Sequence, residues 1–593
     1  MPDHTQIAYR FSDFLLIPAE RQLLRYGKPV PLPPKVFDTL LLLVKGHGRL
    51  IEKDEFLNRI WSATRVEEVA LAHCVSYLRK ALHDSGDEKK FIQTVPKCGY
   101  RFIAAVEVTT TVPQNHSPRV NLAVLPFQNL SGGPELEYLA DGFTEETIAA
   151  LGQIDPDRLS VIGRTTVMTF KATMKTLSEI SSELNAEYII ESSIRLEGGQ
   201  LRITSRLVRG RDQVQVWSAS YDSKPNSMLA FQRELGIAIA AQIRIHLSPG
   251  RLMAALVRRQ TQSVEAFDYY LRGRYFWNQL SPASTRRALE YYSQATELDS
   301  GYALAWSGLA DASAASPING DAPPLETWPR AREAAANAVR AEPNLAETQT
   351  SLGIINFFLE WDWVAAERAF RTAVTLDPSY CLAHRTLGIL LSHSRRNEEA
   401  ALAISRARTL EPLLAAHHAL SAQVAFNAGK YGLAVEFAQE AIAVDSGFWI
   451  AYLQLAQAHQ QLGGSDLALN ILKKAWQFSG GNTKVDSLRA YILAKVGHSQ
   501  QAREILNTLE VLSHKRYVPP YTIALGYAGL GERDASLQWL ERAFDVHDVH
   551  LIFLPVDPKW ECLRNDPQFL SILRRCNFAP IDFKVPQDAG ASI

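Results

Sequence analysis

Apolar residues recur along this chain in three different rhythms. Between Lys35 and Gly48, Val36, Leu40, Leu43 and Val44 fall at helical spacing after Pro33-Pro34, and a glycine ends the run. Lys53 to Trp61 predicts a second helix with Phe56, Leu57, Ile60 and Trp61 apolar. A third, from about Glu67 to His83, gathers Leu71, Val75, Leu78 and Leu82 on one face and His73, Ser76, Tyr77 and Lys80 on the other. Alternation then takes over. Phe91 to Val95, a Pro96-Lys97-Cys98-Gly99 turn and Tyr100 to Ile103 predict a hairpin with Lys97 at its tip and Arg101 just past it. Residues 107–119 are polar, Thr- and Pro-rich and aperiodic, and are expected to be a linker.

The second rhythm runs from 120 to 247. Strands are expected at Asn121–Phe127, Leu159–Ile162, Tyr188–Arg195 and Leu201–Val208, the last two joined by Gly198-Gly199, with helices at Glu135–Ile154 and Leu177–Leu184. That order predicts an α/β sheet. Asp141, Glu145 and Glu146 cluster early in its first helix, where acidic groups complement the helix dipole.

The third rhythm is a repeat. Small residues stand at Gly388, Ala422, Ala456, Ala490 and Ala524, 34 residues apart, with Ala310 and Gly353 preceding them. Further columns run Ala288, Ala331, Ala366, Ala400, Ala434, Ala468, Ala502, Ser536 and Ala295, Ala338, Ala373, Ala407, Ala441, Ala475, Leu509, Ala543. Paired helices that cross closely need small side chains at such points, so residues 265–548 are expected to form about eight two-helix repeats. The second is lengthened by a Pro-rich insert at Ser316–Pro329, and residues 549–593 are a cap and tail. Such a stack offers a groove for a protein or peptide partner, or a face for self-association.

Composition narrows the function. Of 593 residues 47% are hydrophobic and 21% charged, as in ordered soluble proteins, and the net charge is −1. Residues 1–106 hold sixteen cationic against twelve anionic side chains, +4, which leaves −5 for the rest and permits nucleic-acid binding by the head. Neither a signal peptide nor a membrane-length apolar run is present, so the chain reads as cytoplasmic. Five cysteines form no ligand spacing, and His417-His418 and His547/His550 are not read as a metal site; no cofactor or catalytic constellation is expected. Periodicity alone leaves the polar face of the third helix open between DNA binding and plain solvation.

The stretches Leu78-Arg79-Lys80-Ala81-Leu82 and Thr94-Val95-Pro96, closed by Gly99-Tyr100-Arg101-Phe102, resemble the effector domain of OmpR/PhoB-type regulators, most closely the CadC/ToxR-like one-component kind. The resemblance covers residues 9–106. It implies a winged-helix (α+β) domain whose third helix enters the major groove of double-stranded DNA through His73, Ser76, Tyr77 and Lys80, with Lys97 and Arg101 on backbone or minor groove. Arg79 would contact phosphate or pair with Glu67 or Glu68. Cys98 stands where many relatives have a basic residue. Residues 119–247 resemble the TolB amino-terminal-like domain, and 265–548 the tetratricopeptide repeat, giving an all-α superhelix. Together these imply a transcription regulator with a repeat scaffold; the alternative is a repeat adaptor whose winged helix binds protein.

Overall fold

A computed structural model describes residues 6–18, 22–25, 28–30, 32, 34–60, 68–82, 84, 91–95, 98–111, 120–133, 136–153, 158–197, 200–223, 261–279, 282–320 and 322–578. Trp61, Glu67 and Lys97 of the sequence reading lie outside these residues. The chain divides into two units, Met1–Ser117 and Pro118–Ile593.

In the first unit, β1 (Gln6–Phe11), β2 (Phe14–Ile17), β3 (Gln22–Arg25) and β4 (Lys28–Pro29) form an antiparallel meander. Helices α1 (Pro34–Lys45), α2 (Lys53–Ile60) and α3 (Glu68–Ala81) follow, with β5 (Leu50–Glu52) between the first two. The hairpin β6 (Ile92–Val95) and β7 (Gly99–Phe102) pairs with β5 in the order β5-β7-β6. The apolar stripes of α1 and α3 are buried together, and Phe11 meets Phe102 edge-to-face at 5.0 Å.

One expectation is corrected here. Part of the linker read at 107–119 is a strand, β8 (Glu107–Thr111), paired antiparallel with β1 at the edge of the order β4-β3-β2-β1-β8. The run Thr109-Thr110-Thr111 looks polar by composition, but the β-branched side chains of Val108 and these threonines suit a pleated edge.

The second unit opens with a six-stranded sheet: β9 (Val120–Val124), β10 (Gln128–Asn129), β11 (Leu159–Val161), β12 (Tyr188–Glu197), β13 (Gln200–Arg209) and β14 (Val214–Ser223). The order is β11-β9-β12-β13-β14, parallel through β12 and antiparallel after it. Alternation along β9 sends Leu122 and Val124 toward α4 (Glu137–Gly152) and Ala123 toward α5 (Arg164–Met168) and α6 (Leu177–Leu184). A capping box at Thr176 and Glu179 starts α6.

From Val264 the described chain is helical. Eight helix pairs run from Val264–Trp277 with Pro282–Leu298 to Pro520–Leu530 with Arg533–Asp545. Each alanine of the three columns is buried, and Leu509, the large exception, is buried too. The Pro-rich insert lengthens helices rather than a loop: Pro317 lies inside Ala303–Asn319, and Pro324 opens Pro324–Ala341, where a missing N–H costs nothing. No helix of the described residues is long and apolar enough to cross a membrane.

The C-terminal segment does more than cap. Trp560 packs on the last repeat, its Nε1 donating to Tyr521 Oη at 2.8 Å. From His547 onward the chain also reaches far back. The His547 ring stacks on Trp361 at 3.8 Å and bonds the Leu359 carbonyl, Trp363 Nε1 donates to the Cys576 carbonyl at 3.1 Å, and Arg395 donates to the Pro555 carbonyl at 2.6 Å. Lys559 donates to Gln457 Oε1 at 3.0 Å. These partners belong to repeats three, four and six. The open peptide groove expected from the repeat count is therefore crossed by the chain's own strap.

Candidate nucleic-acid interface

Among the described residues, helix α3 is buried along one stripe. Leu71, Val75, Leu78 and Leu82 are buried, while Ser76 and Tyr77 are exposed, Tyr77 by 44%. A tyrosine left so open on an otherwise well-packed domain presents an amphipathic ring and a hydroxyl to whatever meets this face. His73 and Lys80 lie on the same helix, with their side chains outside the described residues.

The wing is fixed to the end of α3 by two polar residues. Arg79 donates to the Ile92 carbonyl at 3.0 Å and to Thr94 Oγ1 at 2.6 Å. Asp84, buried just beyond α3, accepts from the Ile92 N–H at 3.0 Å and from the Phe91 N–H at 3.3 Å. The described partners of Arg79 are thus on β6; the side chains of Glu67 and Glu68 lie outside the described residues. A guanidinium can bridge a helix and a strand because its donors fan out in one plane. Asp84 was missed in the sequence because a lone aspartate past a helix looks like a turn residue.

Gly99 sets the wing's seat against β5. A Cβ there would stand 2.0 Å from the Ile51 carbonyl oxygen, so only glycine lets the strands approach. Arg101 lies half-buried on β7 opposite Leu50 and Gln93. Cys98 is exposed at the turn, and its carbonyl accepts from the Lys53 N–H at 3.1 Å. Cys74 is half-buried; burial pushes its thiol up, with Thr39 a smaller opposing influence.

The acidic cluster of α4 makes specific ion pairs and hydrogen bonds. Glu145 pairs with Arg274 of the first repeat and with Arg164 at 3.3 Å, and accepts from Asn278 at 3.1 Å. Burial opposes its ionisation, but Arg274 and Arg164 outweigh that and hold the carboxyl below its ordinary range. Glu146 accepts from Tyr270 Oη at 3.2 Å, and Asp141 from Lys171 at 2.6 Å. Backbone contacts continue the seam: the Gly163 N–H donates to the Leu410 carbonyl at 2.9 Å, and a Cβ on Gly163 would strike Glu411 at 2.2 Å. Glu145 and Glu146 help sew the α/β domain to the repeats, while Asp141 pairs within the α/β domain.

One cluster was invisible to spacing. Cys381, Glu411 and His417 bring potential ligand atoms within 4.8 Å of one another. The Cys381 sulfur lies 3.6 and 3.8 Å from the two ring nitrogens of His417, nearly equidistant, so it does not share a metal position along either lone pair. Arg385 also acts on both Glu411 and His417, which disfavours a cation there.

Residues 27–102 match the family Trans_reg_C, "Transcriptional regulatory protein, C terminal". The first unit is accordingly a winged-helix domain of transcription-regulator type. The chain is 25% identical over 409 residues to "Transcriptional regulator HilA" of Salmonella typhi, covering 68% of this chain and 71% of that protein. It is 30% identical over 198 residues, 33% of each chain, to "Putative adenylate cyclase 3" of Rhizobium meliloti (strain 1021). Among solved structures it is similar to the "DNA binding domain of E. coli CadC", at 28% identity and a TM-score of 0.17, covering 18% of this chain and 99% of that one.

Proposed function

We propose that this chain is a one-component, sequence-specific regulator of transcription whose first unit binds duplex DNA. The supporting observation is α3: its apolar stripe is fully buried while Ser76 and Tyr77 stand exposed on the opposite face. His73, Ser76, Tyr77 and Lys80 read base edges and phosphates in the major groove, and Lys97 and Arg101 reach the flanking backbone or minor groove. Arg79 serves chiefly to position the wing against α3, through Ile92 and Thr94. No cofactor, metal or catalytic step enters this reading, and the protein works in the cytoplasm. A protein partner or a second copy meets the outer faces of the repeats, where Val364, Leu402, Trp476 and Val511 are exposed on second helices.

The test is selection of bound sequences from random duplexes by the full chain, followed by anisotropy titrations at several salt concentrations. Affinity falls as salt rises, and Lys80→Ala lowers the log–log salt slope by about 1. Binding without salt dependence, or no enriched sequence, favours the adaptor reading instead.

A further inference from the structure

Inside the second unit lies a cavity of about 300 Å³. The first helices of repeats two to eight all contribute to its wall, from Ile318 to Leu525, and the strap supplies Phe553 and Lys559. One cavity touched by seven successive repeats means that the stack curls around it. The space matches the lower range of small-molecule pockets.

The wall chemistry narrows the occupant. The lining is mostly apolar, with Leu420, Val424, Trp449 and Leu453 among it. Its buried ion pair is closed on itself: Lys559 meets Asp557 at 2.8 Å and also donates to Gln457. Lys484 donates to the Ile318 carbonyl at 3.2 Å. His550 also lines the wall with a buried, unpartnered Nε2, its Nδ1 being bonded to Asp548 at 2.7 Å; the ring of His393 is bonded to a carbonyl instead. His393 is 2% exposed, and its Nδ1 lies 2.8 Å from the Ile389 carbonyl. A carbonyl only accepts, so Nδ1 carries the proton and Nε2 is a bare acceptor. That Nε2 is buried with no hydrogen-bond partner. Burial lowers the ring's pKa to about 4, so it stays neutral near pH 7. A buried acceptor left unmatched carries a desolvation penalty that a ligand donor can relieve.

We propose that this cavity is a binding site for a small uncharged molecule with an apolar ring body and one hydrogen-bond donor, a hydroxyl or N–H, that pairs with His393 Nε2. The site is independent of the DNA-binding reading. The probes are 2-naphthol and its methyl ether, 2-methoxynaphthalene, titrated by fluorescence into the full chain. The expected result is saturable binding of 2-naphthol at one per chain, with the ether weaker by about ten-fold because it brings no donor. In His393→Phe, which keeps a ring against Phe553, the two probes bind alike. Non-saturating uptake, equal affinity of the two probes for the unmodified chain, or a gap that survives in His393→Phe would each overturn the proposal. If His393→Phe fails to fold, the two probes on the unmodified chain decide it alone.

Discussion

Helices α3 and α4 are of similar length, and each mixes polar residues into an apolar pattern, but they use those residues in opposite ways. On α3 the polar face holds Ser76 and Tyr77 in solvent, opposite a single buried stripe. On α4 Asp141 and Glu146 are buried, and Glu145 pairs with an arginine 129 residues away. A polar helix face is available to an outside partner only when no other part of the chain covers it. Local periodicity sees the face in both cases and the cover in neither.

The largest expected effect tests the covered side. Glu145→Ala leaves Arg274 buried without its carboxylate, which typically costs about 3–5 kcal/mol. Denaturant unfolding of the second unit should show it; a loss under about 1 kcal/mol would mean that the seam does not depend on this pair. On the open side, Leu78→Ala empties a fully buried position behind the proposed DNA face and should destabilise the first unit by about 2–5 kcal/mol, read by thermal melting.

Acid should distinguish the two units as well. Burial lowers His393 from 6.5 to about 4, so the unfolded chain takes up its proton first as pH falls. The stability this group provides is complete above pH 6.5 and declines toward pH 4. His417, lowered to about 3 by burial and by Arg385, acts in the same direction. Melting of the second unit between pH 6.5 and 4 should therefore be less pH-dependent in His393→Phe than in the unmodified chain; identical slopes would contradict the assignment. The smallest change in stability belongs to Tyr77→Ala, within about 0.5 kcal/mol as for other exposed positions, yet DNA affinity should drop several-fold. Unchanged affinity would remove Tyr77 from the interface.

Much of the architecture was legible because it rests on local repetition. The stripes of α1 and α3, the 91–103 hairpin and the three alanine columns each declare themselves within a few turns of chain; the stripes and columns are buried, and β6 pairs with β7. Strand β8 was hidden because threonine is polar by composition and β-forming by shape. Asp84 gave no signal, since it accepts from backbone N–H groups of Phe91 and Ile92, which any residue could supply, and the bonds of Arg79 to Ile92 and Thr94 depend on where the hairpin docks. The docking of the α/β domain and the return of residues 549–578 depend on surfaces that exist only after the repeats have stacked.

That return alters how the repeats are expected to lose their structure. An array whose units touch only their neighbours can fray from either end and melt in stages. Here His547 is joined to Leu359 across 188 residues, and both His547 and its stacking partner Trp361 hold left-handed backbone angles that neither would adopt unsupported. Detaching the strap releases both ends of that link at once. Amide exchange should accordingly report one shared opening energy for repeats three to eight instead of a gradient, and closure of so long a loop should make this the slow step of folding.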